Sequence, residues 1–169
     1  MAWFIPNLND QKNIIGLEIL ASILSVGRNS RLVKILKEDS SLVESVYVDV
    51  NAGELGGLFI MEASCESKDI DLVEKQINKT IDEISNCQSL ALDEIKKAIN
   101  TVKSNYIFNL ETSTQLSSFF GNELLWGRKS SINDLECYLK YWNDLDNFKE
   151  ITEYIRGEKF TLVASPSKC

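Results

Sequence analysis

The chain of 169 residues contains no histidine. An imidazole is needed by the Ser-His-Asp triad, by the Cys-His pair and by the zinc helices H-E-x-x-H and H-x-x-E-H. The sequence carries none of these centres, and an independent Ser or Cys hydrolase is therefore disfavoured. Catalysis by carboxylates alone stays formally possible, but no pair stands out among the 25 Asp and Glu residues. We predict no catalytic residue, no metal ligand and no cofactor in this chain.

Long apolar runs and closely paired cysteines are also absent. The longest apolar stretch, IIGLEILASILSV, contains Glu18 and is too short to span a bilayer. We therefore expect no membrane partner. The four cysteines form no C-x-x-C pair, which argues against a structural zinc site and indicates free thiols in a reducing compartment. We accordingly expect a cytoplasmic protein.

Positive charge is scarce in this sequence. Lys and Arg number 18 against 25 Asp and Glu, which gives a net charge of −7 and an isoelectric point near 4.7. Because no Lys/Arg cluster is available to contact phosphates, we predict no nucleic-acid partner. The length and the 44% hydrophobic content suit one domain with a sizeable core, spanning residues 1–169.

The first half of the sequence alternates between strand-like and helix-like patterns. Residues 2–6 predict a strand. Apolar residues at three- and four-residue spacing then predict a helix that ends at Gly27, and a short helix follows it. The β-branched residues of 43–50 and the apolar run 58–63 predict two strands joined as an antiparallel hairpin.

The second half is mostly helical. A stripe of Ile and Val predicts one helix, which ends at a break over residues 87–89. A long helix from Leu92 should continue through LETSTQLSSFFGNELLWG, and two shorter helices should follow, the first from Ser131. Residues 160–165 predict a closing strand. The element order β-α-α-β-β-α-α-α-α-β is typical of an α+β fold, with an antiparallel β-sheet covered on one face by helices.

A more specific pattern runs from an Asp through an amphipathic helix ending in I-L into SRLVKILKEDSSLVESVY, residues 30–47. The stretch begins with S-R-L, just after a Gly, and it continues in an order that is similar to L-R-E-x-x-G-L-x-Y-S-V. The matching residues are Asp10, Ile23, Leu24, Gly27, Ser30, Arg31, Leu32, Leu36, Glu38, Leu42, Ser45, Val46 and Tyr47. On these residues the chain resembles the second, non-catalytic (C-terminal) domain of the pitrilysin/insulinase-type zinc peptidases, a group that includes the mitochondrial processing peptidases.

The resemblance implies a LuxS/MPP-like metallohydrolase fold. It also implies an N-terminally truncated domain, a fragment of a larger peptidase-family protein, because such domains start earlier with another strand and helix. Zinc would be held by an H-x-x-E-H motif and a distant Glu in a catalytic domain, either upstream or on a partner subunit. This chain would be the non-catalytic substrate-chamber domain of that zinc-dependent metalloendopeptidase, with the catalytic domain and a peptide substrate as its partners.

Two positions of the stretch correspond to residues that hold the peptide in many active members. The resemblance implies an Arg at the position of Lys37 and a Tyr at the position of Glu44. Lys keeps the charge but loses the planar fork, and a carboxylate can only accept a hydrogen bond where a phenol can donate one. We expect Lys37 and Glu44 to be the substrate-binding positions. Alternatively, they are surface residues at a helix–strand junction that form a weak ion pair. Tyr47, an odd number of positions further on, should lie on the opposite face of the strand.

A catalytically inactive structural or assembly homologue of the same family is the alternative function. The departures at Lys37 and Glu44 motivate it, and the core proteins of the respiratory bc1 complex are examples of such homologues. We also expect an unpaired sheet edge, left by the missing first strand, which could pair with a second copy of the chain. A homodimer is therefore a possible assembly.

Overall fold

The computed structural model of the chain describes residues 1–86, 90–125, 127 and 132–165. Four strands and six α-helices make up the regular structure of this part. The strands are β1 Ala2–Ile5, β2 Val43–Ala52, β3 Gly57–Cys65 and β4 Lys159–Phe160. The helices are α1 Gln11–Ser25, α2 Ile70–Ser85, α3 Leu92–Phe108, α4 Ser113–Leu125, α5 Ile132–Trp142 and α6 Leu145–Thr152. A π-helical segment, Val33–Asp39, precedes β2, and single 3₁₀ turns at Ser67–Asp69 and Glu153–Ile155 adjoin α2 and α6.

The strands form one sheet in the order β2-β3-β1-β4, and every neighbouring pair is antiparallel. The hairpin of β2 and β3 is the longest ladder, as the alternating patterns predict. β1 pairs with β3 through Trp3 opposite Phe59, and with β4 through Ala2 opposite Phe160. The α+β prediction is confirmed.

Helices cover one face of this sheet and leave the other open. Trp3, Phe59 and Met61 point to the covered face and are almost fully buried. Phe4, Tyr47 and other alternate positions of the same strands are exposed. We call this second surface the open face.

The covered face and helix α1 share one hydrophobic core. Asp10 caps the start of helix α1, because its carboxylate accepts from the Asn13 amide, and the helix buries apolar residues along most of its length. Trp142 of α5 is fully buried against α1, and its indole Nε1 donates to the carbonyl of Lys12 at 2.7 Å. Gly16 makes this approach possible, because a Cβ there would lie 2.7 Å from the Trp142 ring.

Two predicted elements are wrong in extent. The long helix from Leu92 ends at Phe108, and a separate helix begins at Ser113. The physical reason is a new helix start: Thr112 Oγ1 accepts from the Gln115 amide, and Gln115 Oε1 accepts from the Thr112 amide, each at 3.2 Å. Such reciprocal capping satisfies the first donors of a helix, so α4 starts afresh after the turn.

The closing strand predicted over 160–165 contains only Lys159 and Phe160. Phe160 already lies opposite Ala2, the first residue of β1, so the residues after it have no β1 residue to pair with. The predicted break over 87–89 and the predicted helix start at Ser131 fall outside the described residues. No helix in the described part of the chain is both long and apolar enough to cross a membrane.

Candidate functional site

The stretch from Ser30 to Tyr47 contains the π-helical segment Val33–Asp39. Leu32 and Leu36 are fully buried and fix this segment against the core. The Ser40 hydroxyl donates to the carbonyl of Ile35 at 2.6 Å, and the Leu42 amide donates to the carbonyl of Leu36 at 2.8 Å. These bonds satisfy carbonyls that the wider π turn and its end would otherwise leave open. π-helical geometry is rare and is found frequently at functional sites.

Arg31, a residue of the S-R-L pattern, has a structural partner in α3. Its Nε and Nη2 donate to the two carboxylate oxygens of Glu94 at 3.0 and 2.7 Å. The Arg31 side chain is only 12% exposed. Glu94 also accepts from the amide of Ala91 at the start of α3, and these interactions lower the pKa of Glu94 against the opposing effect of its own desolvation. The bidentate pair thus joins the turn that precedes the π-helical segment to the first turn of α3.

A β-bulge opens strand β2 at Glu44. Val43 lies opposite Cys65 and Ser45 lies opposite Ser64, so Glu44 is an extra residue with no partner of its own. Because of the bulge, Val43 and Val46 are both buried although they are three residues apart. Bulges of this kind re-aim side chains and occur often beside active sites.

The bulge overturns the expectation for Tyr47. Strict alternation would place Glu44 and Tyr47 on opposite faces, but both are exposed, and Tyr47 is 69% accessible. Tyr47 lies opposite Glu62 on the open face. Alternation predicted Tyr47 on the face opposite Glu44, but the structure places both residues on the same side of the sheet.

Lys37 and Glu44 are both exposed, at the end of the π-helical segment and at the bulge. Among the described residues, no ion pair joins Lys37 to Glu44, so the weak ion pair expected at the junction is not present. Ser41 lies between them with a φ of +51°, in the left-handed region. Both positions are thus held by an irregular backbone and can reach a ligand from the surface.

The open face carries aromatic side chains that the sequence patterns did not single out. Phe4 and Phe160 stack edge to face with their ring centroids 5.6 Å apart, and they are 66% and 62% exposed. The signal was present in the alternation of β1, where Phe4 stands between the inward-facing Trp3 and Ile5. This alternation predicts an exposed Phe4 only when it is known which face of the sheet the helices cover.

The buried Glu18 lies beside a cavity between α1, α3 and β2 that measures about 350 Å³. Its carboxylate accepts a hydrogen bond from Tyr106. Burial, reinforced by the charge of Asp49, raises the pKa of Glu18 to about 7, although the bond from Tyr106 opposes the shift. A single Glu within the apolar sequence IIGLEILAS was the available signal.

Within the described residues, no three His, Cys, Asp or Glu side chains come together to hold a metal ion. The structure thus shows an α+β domain with a half-covered sheet, whose open face presents aromatic and acidic side chains.

Comparison with known families identifies the family to which this chain belongs. Residues 1–102 match the family described as the peptidase M16 inactive domain. That match covers more than half of the chain, and the chain therefore belongs to the M16 inactive-domain family. The resemblance found in the sequence is confirmed.

The relatives give the same result for the fold. An uncharacterized zinc protease of Streptomyces coelicolor is 29% identical over 118 residues, which are 69% of this chain and 26% of that protein. The structure of a Helicobacter pylori protease is similar with a TM-score of 0.81 and 17% identity, over 91% of this chain and 37% of that one. A chain of the Candida albicans complex III2 structure follows with a TM-score of 0.77 and 19% identity, over 90% and 38%. The chain thus spans about a quarter to two fifths of these relatives.

Proposed function

We propose that this domain forms the non-catalytic wall of the substrate chamber in a zinc-dependent metalloendopeptidase. The zinc would be bound by an H-x-x-E-H domain elsewhere in the same protein or on a partner subunit. The observation that carries the proposal is the half-covered sheet: its open face bears exposed Phe4, Tyr47 and Phe160, while the covered face is sealed by helices. An exposed apolar patch of this kind marks an interaction surface.

The positions of Lys37 and Glu44 support a role in peptide binding. Both are exposed and are set by a π-helical segment and a bulge. The Lys37 ammonium can donate to a peptide carbonyl, whereas Glu44 can accept from a peptide N–H. The domain would orient an extended peptide while the zinc domain supplies a metal-activated water.

The test is peptide cleavage by this domain combined with its H-x-x-E-H domain. Wild type should cleave unstructured peptides, and a chelator should abolish the cleavage. Lys37→Ala should raise KM several-fold, because it removes one charge-assisted hydrogen bond worth about 1 kcal/mol or more. Lys34→Ala is the matched control, since Lys34 is an exposed Lys of the same segment.

The alternative function is a catalytically inactive structural homologue. The departures at Lys37 and Glu44 from the Arg and Tyr of the family pattern favour it. Assembly with partner subunits and no chelator-sensitive cleavage of any peptide would contradict the chamber proposal and support this alternative.

A further inference from the structure

The cavity beside Glu18 lies on the helical side of the sheet, away from the open face. It measures about 350 Å³, and it is lined by residues of α1, β2 and α3 and by Phe119 of α4. This volume falls within the roughly 300–1,000 Å³ that is usual for sites that bind small molecules. Ala21 and Val102 are buried in its lining, whereas Val26 is exposed, so the cavity leads from solvent to a buried floor.

The lining offers hydrogen-bond acceptors and apolar surface but no fixed positive charge. Among the described residues that line the cavity, none is a Lys or an Arg. Thr101, Asn105 and Asn109 belong to α3 or its C-cap, and each has a side-chain oxygen that can accept a hydrogen bond. Val48 and Val50 of β2 provide aliphatic surface. An ammonium group that carries a short apolar chain matches such a lining.

Glu18 is the group whose charge a ligand would balance. A carboxylate has about four acceptor positions, and the hydrogen bond from Tyr106 occupies one of them. In the described part of the chain no Lys or Arg forms an ion pair with Glu18, and the charge of Asp49 opposes its ionisation. Because an ionised carboxylate is costly to bury without a partner, a bound cation would stabilise it.

We propose that this cavity binds a small protonated amine with a short apolar chain, with the ammonium group against Glu18. The ammonium donates to the Glu18 carboxylate, and the negative charge of Asp49 attracts it to the mouth of the cavity. The apolar chain contacts Val102 and Phe119. A neutral head group would lose the charge-assisted hydrogen bond, and an anionic one would meet two like charges. The site is separate from the open face, so this proposal does not depend on the proposed function.

The experiment compares hexylamine, hexanol and hexanoate, which have the same number of carbon atoms and differ in the head group. Isothermal titration calorimetry with the 169-residue chain at pH 8 gives the three affinities. Hexylamine should bind about tenfold more tightly than hexanol, because its hydrogen bond to Glu18 joins two charged groups. Hexanoate should bind most weakly. Equal affinities for hexylamine and hexanol, or no binding of hexylamine, would overturn the proposal.

Two variants test the role of Glu18. Glu18→Gln keeps the shape of the side chain and removes its charge, so it should weaken hexylamine about tenfold and leave hexanol unchanged. Asp82→Asn removes a charge from an exposed position of α2 outside the cavity, and it should leave both affinities unchanged. A preference for hexylamine that survives Glu18→Gln would contradict the assignment.

A variant at the mouth locates the binding. Val26 lines the cavity and is 53% exposed, so a larger side chain there can be accommodated without disturbing the core. Val26→Trp should weaken hexylamine and hexanol alike, because the indole narrows the entrance. Unchanged affinities for both ligands in Val26→Trp would place their binding outside this cavity.

The pH dependence gives an independent readout. Glu18 has a pKa of about 7, so it is mostly protonated at pH 5, whereas the amine stays charged. The other titratable residues of the described lining are Asp49 on β2 and Tyr106 on α3. The advantage of hexylamine over hexanol should therefore shrink from pH 8 to pH 5. An advantage of the same size at both pH values would show that Glu18 does not hold the ammonium.

Discussion

Ser41 adopts a backbone conformation that suits glycine better than serine. Its φ of +51° places it in the left-handed region, which costs an L-residue about 1–2 kcal/mol. We predict that Ser41→Gly stabilises the chain by about 0.5–1 kcal/mol, since the relief exceeds the entropy that glycine adds to the unfolded state. Urea unfolding measures the change.

The neighbouring Ser40 provides the matched control for that substitution. Ser40 has a negative φ, and its hydroxyl donates to the carbonyl of Ile35. Ser40→Gly should therefore destabilise the chain by about 1 kcal/mol through the lost hydrogen bond. If both glycines shift the midpoint in the same direction, backbone strain at Ser41 is not the cause.

Glu18 should make stability fall as pH rises. Its pKa is about 7 in the folded chain and near 4.5 when unfolded, so the folded state retains a proton that the unfolded state releases between these values. The loss in free energy of unfolding is absent below about pH 4.5, grows up to about pH 7 and is complete above pH 7. By linkage it amounts to at most about 3 kcal/mol.

Replacing Glu18 by Gln removes this titration while keeping a partner for Tyr106. We predict that Glu18→Gln is more stable than wild type at pH 8 and that the gain disappears at pH 4.5. Denaturant unfolding at the two pH values checks it, with Asp82→Asn as an exposed control. If the free energy of unfolding changes equally with pH in wild type and in Glu18→Gln, ionisation of Glu18 does not destabilise the folded chain.

At the scale of elements, the contact between α1 and α5 depends on Gly16. An added Cβ would lie 2.7 Å from Trp142 and 2.9 Å from Ile151, both fully buried. We predict that Gly16→Ala destabilises the chain by about 1–3 kcal/mol through overpacking. Thermal unfolding by circular dichroism measures it.

Gly121 in α4 is the matched helical glycine. An added Cβ there meets nothing within 4 Å. Gly121→Ala should stabilise the chain by up to about 1 kcal/mol, because only helix propensity changes. A loss of stability at Gly121 equal to that at Gly16 would mean that propensity and packing are not separable in this way.

Element types followed from the sequence better than element ends. The Ile and Val stripe of α2 and the alternation of β2 gave the right structure because their periods are set by neighbouring residues. The end of α3 was not predicted, because a Thr and a Gln three residues apart, here Thr112 and Gln115, can either continue a helix or cap a new one. The bulge at Glu44 could not be found either, since an extra residue is defined only against the partner strand.

At the scale of the whole molecule, strand β2 is an edge of the sheet, and α1 partly protects it. The amide of Val48 donates to Ser25 Oγ at 3.1 Å, which occupies one donor of that edge. We predict that Ser25→Ala increases self-association, because it frees a donor for pairing with a second copy. Sedimentation velocity over a concentration series measures the dimer.

A proline in the same strand is the control for edge pairing. Val50→Pro in the Ser25→Ala background removes another donor of β2 and should return the chain to monomer. Dimerisation that persists with Val50→Pro would place the contact on a different surface.

The sequence alone determined the α+β class, the hairpin, most of the helices and the lack of an imidazole, since each depends on composition or on residues close in the chain. The motif around SRLVKILKEDSSLVESVY determined the family. The tertiary structure decided which sheet face stays open and that Glu44 and Tyr47 lie on the same side of the sheet. These features depend on how distant segments pack, and strand β3, more than ten residues after Glu44, sets the register that produces them.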